Sequence, residues 1–184
     1  MEVSTLPQLL LAMQNCYQFE NVNMYEHGLM VNREYFNIIT ALELGIIDEV
    51  FPSELIDVYQ KSHLLDFGLM VQYHILHDCG KPLCRIVTDE GRVQFPNHAD
   101  ESFQQIRKFF PSETDLQYLV QHDMDFHVLK PDDLKPIAES KYGFSLYLTA
   151  WAELIANSQM FGGFDSVSFK IKRKKLLKCL KLFK

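Results

Sequence analysis

The stretch Tyr73-His74-Ile75-Leu76-His77-Asp78-Cys79-Gly80-Lys81-Pro82 carries the densest chemistry in the chain. An imidazole nitrogen beside a carboxylate oxygen suits a borderline divalent cation such as Mn²⁺, Fe²⁺, Co²⁺, Ni²⁺ or Zn²⁺. Neighbouring residues of a regular helix do not share a face. His77 and Asp78 therefore serve one ion only where a helix is ending or distorted. Gly80 and Pro82 supply such an ending, because Gly suits a C-cap and Pro cannot continue a helix. The other candidate ligands stand far off in sequence: His27, His98, His122 and Asp123, each at or near an expected helix end or on a helix face. A lone histidine is usually a satisfied core or surface residue. Here histidines recur around helix ends, and two of them are followed by Asp, which points to a metal centre. His74 lies one turn before Asp78 and reads as a core histidine. His63 and His127 read as surface residues or as groups behind the ligands.

These residues need helices to position them. Ser4-Thr5 followed by Pro7 predicts a helix N-terminus, with the helix running to about Phe19. Asn21 or Asn23 caps a second helix, whose apolar residues Leu29, Met30, Tyr35, Phe36, Ile39 and Leu42 recur at helical spacing and which Gly45 ends. Pro52-Ser53-Glu54 starts a short helix through Tyr59. Leu64 to Asp78 is mostly apolar and predicts a buried central helix. A small hairpin is expected from Leu83 to Phe95, turning at Asp89-Glu90-Gly91. Further helices are predicted over about Ala99–Phe110 and Glu113–Asp125, from Pro131, and from Phe144 to Met160. A basic amphipathic helix is predicted from Lys170 to Lys184. The fold class is all-α.

A chain of 184 residues suits one domain with a sizeable core. Apolar residues at 47% and charged residues at 23% match an ordinary soluble globular protein. No run approaches the length of a membrane span, and Met1-Glu2-Val3-Ser4 lacks the features of a signal peptide. Cys16, Cys79, Cys84 and Cys179 are scattered, which reads as reduced thiols in a cytoplasmic setting. Net charge is −6, unevenly spread: residues 170–184 hold eight Lys or Arg and no acid, against ten bases and 24 acids elsewhere. A body of net −14 thus carries a tail of +8. Such a tail is either a polyanion-binding arm or a helix docked on the protein's own surface.

The pattern resembles the HD superfamily of metal-dependent phosphohydrolases, and most closely the HD domain of some bacterial tRNA nucleotidyltransferases. The residues that carry the resemblance are Tyr25-Glu26-His27 with Val31 a turn later, Leu76-His77-Asp78-Cys79-Gly80-Lys81-Pro82, Phe95-Pro96-Asn97-His98, Leu119 to His127, and Leu148-Thr149-Ala150-Trp151-Ala152-Glu153. It covers about residues 15–165. It implies an HD-domain helical bundle over residues 1–168, with a small irregular or hairpin insert around 83–95 and the basic helix at 169–184. It also implies His27, His77, Asp78 and Asp123 as ligands of a divalent ion (Mn, Ni, Co, Fe, Mg or Zn). The chain lacks a Gly-Ser followed by paired carboxylates, so nucleotide addition is not expected. Glu153 stands where many HD proteins carry an Asp, which leaves the second carboxylate between Asp123 and Glu153, with Asp123 preferred.

A metal-dependent phosphohydrolase is the activity that this resemblance implies, on nucleotide or RNA-end phosphoesters: a 2′,3′-cyclic phosphodiesterase, 2′-nucleotidase or phosphatase. A divalent ion lowers the pKa of water and polarises a phosphoryl oxygen. Asp78 would ligate the ion and orient the water. Lys81 would steady a phosphate by its charge, or else cap helix carbonyls. His98, at a helix start, would meet an anion beside free amides; a second-metal ligand with His122, or a general acid, are its other roles. His122 and Glu153 stand as additional ligands or groups behind the ligands, and Arg85, Arg92 and Arg107 as phosphate clamps or, by default, plain surface arginines. A (deoxy)nucleoside phosphate hydrolase is the nearest alternative. From another class, a non-catalytic HD module would grip RNA or a partner protein. For the tail, the stripe Ile171, Leu176, Leu177, Leu180 and Phe183 favours packing on the domain with lysines in water; contact with RNA phosphates or an anionic membrane surface are the functional readings.

Overall fold

Polar side chains that close on their own backbone set where the helices begin. Thr5 and Gln8 form a reciprocal capping box that opens α1 (Leu6–Gln14), with Pro7 in its first turn. The helix stops short of Phe19. The Asn15 side-chain amide donates to the Leu11 carbonyl at 2.8 Å, and the chain turns into a ribbon of β1 (Tyr17–Phe19) and β2 (Val22–Asn23). Asn23 and Glu26 exchange a second pair of bonds, Glu26 N to Asn23 Oδ1 at 2.9 Å and Asn23 N to Glu26 Oε2 at 3.0 Å. That box opens α2 (Met24–Glu43), and Gly45 beyond its end has the positive φ that stops a helix.

The remaining elements follow in order. They are α3 (Glu54–Lys61), α4 (Phe67–Leu76), α5 (Lys81–Cys84), β3 (Ile86–Val87), β4 (Val93–Gln94), α6 (His98–Phe109), α7 (Thr114–Gln121), α8 (Asp125–Val128), α9 (Pro131–Ala138), α10 (Gly143–Met160) and α11 (Val167–Cys179), with a 3₁₀ turn at Leu180–Phe183. This computed structural model describes residues 3–46 and 50–184; Met1 and Glu2, part of the N-terminus read above as leaderless, lie outside them. The fold is all-α, and its sheets among the described residues are two ribbons of two strands. The expected hairpin is present, with Ile86 opposite Gln94, Val87 opposite Val93, and Gly91 at positive φ in the turn. Among the described residues no helix is long and apolar enough to cross a membrane.

Several boundaries differ from expectation, each for a local reason. The helix predicted to Asp78 ends at Leu76. Pro82 does not merely stop a helix; it sits in the first turn of a new one, α5, where its missing N–H is harmless. The helix predicted over 113–125 breaks after Gln121, which leaves Asp123 in a turn before α8. The tail helix starts at Val167, capped by the Ser166 hydroxyl, which accepts from Phe169 N at 3.2 Å. On α2 the buried stripe runs through Met24, His27, Val31, Tyr35, Ile38 and Leu42, whereas Leu29, expected on it, is 44% exposed.

The chain forms two compact units. The first comprises residues up to Met30 together with Gly68–Asp123. In it α6 packs on α5 and α7, and α1 packs on α5, around buried Leu9, Met13, Met70, Tyr73, Ile106 and Leu116. The second comprises Val31–Phe67 and Met124–Lys184. Its centre is α10, buried on nearly every face, as expected of a helix that is apolar all round. Helices α8, α9 and α11 pack against α10. Tyr147 donates its hydroxyl to the Leu176 carbonyl at 3.1 Å, and Phe183 sets its ring 5.0 Å from that of Tyr147 and 5.6 Å from that of Phe144. The basic tail is therefore a docked helix of this unit. Its buried stripe is Phe169, Leu176, Cys179 and Leu180, while Ile171 is 65% exposed among the lysines.

Candidate metal centre

The first unit gathers four of the sequence-predicted residues around one carboxylate. After Leu76 the backbone tightens: Cys79 N donates to Leu76 O and Lys81 N to Asp78 O, both three residues back. Those turns bring the Asp78 carboxylate to the side of its neighbour's ring. Asp78 Oδ2 lies 3.3 Å from His77 Nε2, 3.9 Å from His27 Nε2 and 2.5 Å from Lys81 Nζ. Oδ1 lies 3.7 Å from His98 Nε2. His27, His77 and Asp78 are buried, and the two histidines offer ring nitrogens within 4.8 Å of each other.

Glycines make this convergence possible. A Cβ on Gly28 would meet the His74 carbonyl oxygen at 2.6 Å and Ile75 Cα at 2.8 Å. Only glycine lets α2 approach α4 so closely, and His27 is its immediate neighbour. Gly80 likewise lies against the backbone of α6 at Glu101 and Ser102, too close for any side chain. Its N–H donates to Ser102 Oγ at 2.9 Å, which fixes α6, and so His98, beside Asp78.

The proton positions follow from the backbone. His77 Nδ1 lies 2.7 Å from His74 O, and His98 Nδ1 lies 3.0 Å from Phe95 O. A carbonyl only accepts, so each Nδ1 carries a hydrogen, and each Nε2 turns toward Asp78. A neutral His77 would then aim a lone pair at a carboxylate oxygen 3.3 Å away. Two electron-rich atoms at that distance call for positive charge between them, a proton or a metal ion. Burial works against an ionised Asp78, but the Lys81 ammonium, then His77 and His27, outweigh it and hold the carboxyl well below the usual carboxylate range. Two imidazoles and an ionised carboxylate fit a borderline divalent ion.

The other predicted residues are placed as follows. Asp123 is buried, and Tyr73, one turn before His77 on α4, donates its hydroxyl to Asp123 Oδ1 at 2.6 Å. Lys81 is held by Asp78 and by Gln18 Oε1 at 2.7 Å, with the Phe95 ring 5.7 Å away. His122 sets its ring 4.2 Å from that of Tyr118. Glu153, in the second unit, is buried and pairs with His127 at 2.9 Å, so His127 is not a surface residue. Arg85 is exposed. His74 is buried, and its carbonyl orients His77. Burial pushes the Cys79 thiol up and keeps it protonated. Sequence reasoning missed Gly28, Tyr73, Ser102 and Gln18. Only Gly28 carried a signal: a glycine inside a helical pattern, next to a candidate ligand. The chain has no significant match among protein-family models, curated proteins or solved structures.

Proposed function

We propose that this chain is an HD-type metal-dependent phosphohydrolase acting on nucleotide or RNA-end phosphoesters. The observation that carries the reading is the buried cluster of His27, His77 and Asp78, in which imidazole Nε2 atoms face an ionised carboxylate across space suited to a cation. His27, His77 and Asp78 would hold the ion, with Asp123 close behind His77 through Tyr73. A divalent ion bound there supplies Lewis-acid polarisation of a phosphoryl oxygen and an acidified water. Asp78, acceptor-only when ionised, orients that water. His98 stands at the start of α6, only 25% exposed, where first-turn amides and an imidazole together suit a phosphate oxygen. Lys81 neutralises Asp78 in the absence of other cations and passes to a substrate phosphate when a metal takes its place. Turnover of 2′,3′-cyclic AMP, 2′-AMP and bis-p-nitrophenyl phosphate with Mn²⁺, Ni²⁺, Co²⁺ and Mg²⁺ tests the proposal. Activity on dNTPs alone would move it to the nucleotide branch.

The exposed face of α11 supports a nucleic-acid partner. Lys170, Lys174, Lys178 and Lys181 recur at four, four and three residues and stand in water along one side of the docked tail. Such a row suits a phosphate backbone, whose binding weakens steeply with salt. Replacing the four lysines with glutamine is expected to lower RNA affinity and flatten its salt dependence, with hydrolysis of mononucleotides unchanged.

A further inference from the structure

A cavity of about 470 Å³ opens in the first unit among α1, β1 and α5, a volume within the range of small-molecule sites. Leu11, Ala12, Cys16, Tyr17 and Pro82 give it apolar walls. Leu11 is 58% exposed and Tyr17 51%, so a large aliphatic and a large aromatic side chain meet water inside a concave site. The two amides on the wall are neutral, and each is tied to its own helix. Gln8 Oε1 accepts from the Ser4 and Thr5 N–H groups, and Asn15 Nδ2 donates to the Leu11 carbonyl. Burial pushes the Cys16 thiol up, so the wall carries no thiolate. Among the described residues that line the cavity, Arg85 alone is charged. It caps the end of α5, is exposed, and has no hydrogen bond or ion pair among the described residues.

We propose that this cavity binds a small molecule with an aliphatic body and a terminal oxyanion, a carboxylate or a phosphate monoester, and that the oxyanion pairs with Arg85. The aliphatic body and the side chains of Leu11 and Tyr17 leave water together, which drives association. The planar guanidinium offers two parallel N–H groups to either oxyanion. A cationic head group would meet like charge at Arg85. A polar body would leave its own hydrogen-bonding groups unmatched against the apolar wall. The assignment is independent of the phosphohydrolase reading, which concerns Asp78.

The test is calorimetric titration of the full chain with four probes: octanoate, monooctyl phosphate, octylammonium and acetate. EDTA in the buffer keeps metal ions off the head groups. The wild type is expected to bind at least one of the two octyl anions about tenfold or more tighter than octylammonium, the worth of one charge-assisted contact, and tighter than acetate, which lacks the aliphatic body. Which octyl anion binds better identifies the head group. Arg85→Gln is expected to bring the preferred anion down about tenfold. Leu11→Glu sets a carboxylate in the cavity from a position already exposed, so the fold tolerates it; the octyl anions are expected to weaken at least tenfold. Thermal denaturation of both variants confirms that they are folded. Octylammonium bound as tightly as the anions, wild-type affinities in the two variants, or no binding of either octyl anion by the wild type would overturn the assignment.

Discussion

Asp78 is surrounded by more nitrogen partners than one carboxylate needs. Lys81, His77 and His27 all face Oδ2, and a buried carboxylate survives only with such partners. If the cluster is a metal centre, Mn²⁺ must stabilise the folded chain. At a hundred times the dissociation constant the gain is about 2.7 kcal/mol, or roughly 5–10 °C in Tm for a chain of this size. Thermal denaturation should show that rise in the wild type and none in Asp78→Asn. Lys81→Met gives a second outcome. It leaves Asp78 short of its nearest cation, so without metal the variant should lose about 2–4 kcal/mol. Its gain from Mn²⁺ should exceed that of the wild type, because no ammonium competes for Oδ2. A Lys81→Met protein as stable as wild type and no more responsive to Mn²⁺ would show that Lys81 does not substitute for an ion.

Helix ends and helix approaches place these side chains, and the two differ in how legible they were. The ends were written locally. Asn23 with Glu26, Thr5 with Gln8, and Gly45 each act within a few residues, and His77-Asp78 before Gly80 was recognisable as chemistry at a helix end. Asn23→Ala should cost about 1 kcal/mol in urea denaturation by unmaking the α2 cap. The approaches are tertiary. That Gly28 presses on His74 and Ile75, that Gly80 presses on α6, and that Tyr73 reaches Asp123 fifty residues away are facts about packing between helices, and no spacing in the sequence encodes them. The same holds for Glu153, whose partner proved to be His127. Gly28→Ala should destabilise by about 1–3 kcal/mol, the range for forcing a methyl into a packed contact, and should also weaken Mn²⁺ binding by moving His27. Destabilisation with unaltered Mn²⁺ affinity would separate the glycine from the site.

Across the whole molecule, the amphipathic pattern gave the all-α class and the docked tail, because apolar stripes and lysine rows act through averages over many residues. The tail's stripe was read partly wrongly, with Ile171 in water and Phe169 and Cys179 buried, since which side of a helix meets its neighbour is settled by the neighbour. Packing on this scale also sets the response to alkali. Burial raises the Tyr35 phenol to about 12. A phenol with a raised folded pKa stabilises fully below its unfolded value near 10 and loses that contribution as pH climbs through the folded value. The Tyr35 share of the unfolding free energy should therefore fall by about 2–3 kcal/mol between roughly pH 10 and pH 12, beside a further loss from the buried Tyr147 phenol, which burial also raises, and Tyr35→Phe should lose less across that window. Mn²⁺-dependent hydrolysis of 2′,3′-cyclic AMP by the purified chain, measured beside Asp78→Ala, tests the chemistry at Asp78. Turnover is expected that requires the metal and vanishes in the variant while the variant stays folded. No turnover by folded wild-type protein with any of Mn²⁺, Ni²⁺, Co²⁺ or Mg²⁺, or equal turnover by Asp78→Ala, would contradict it.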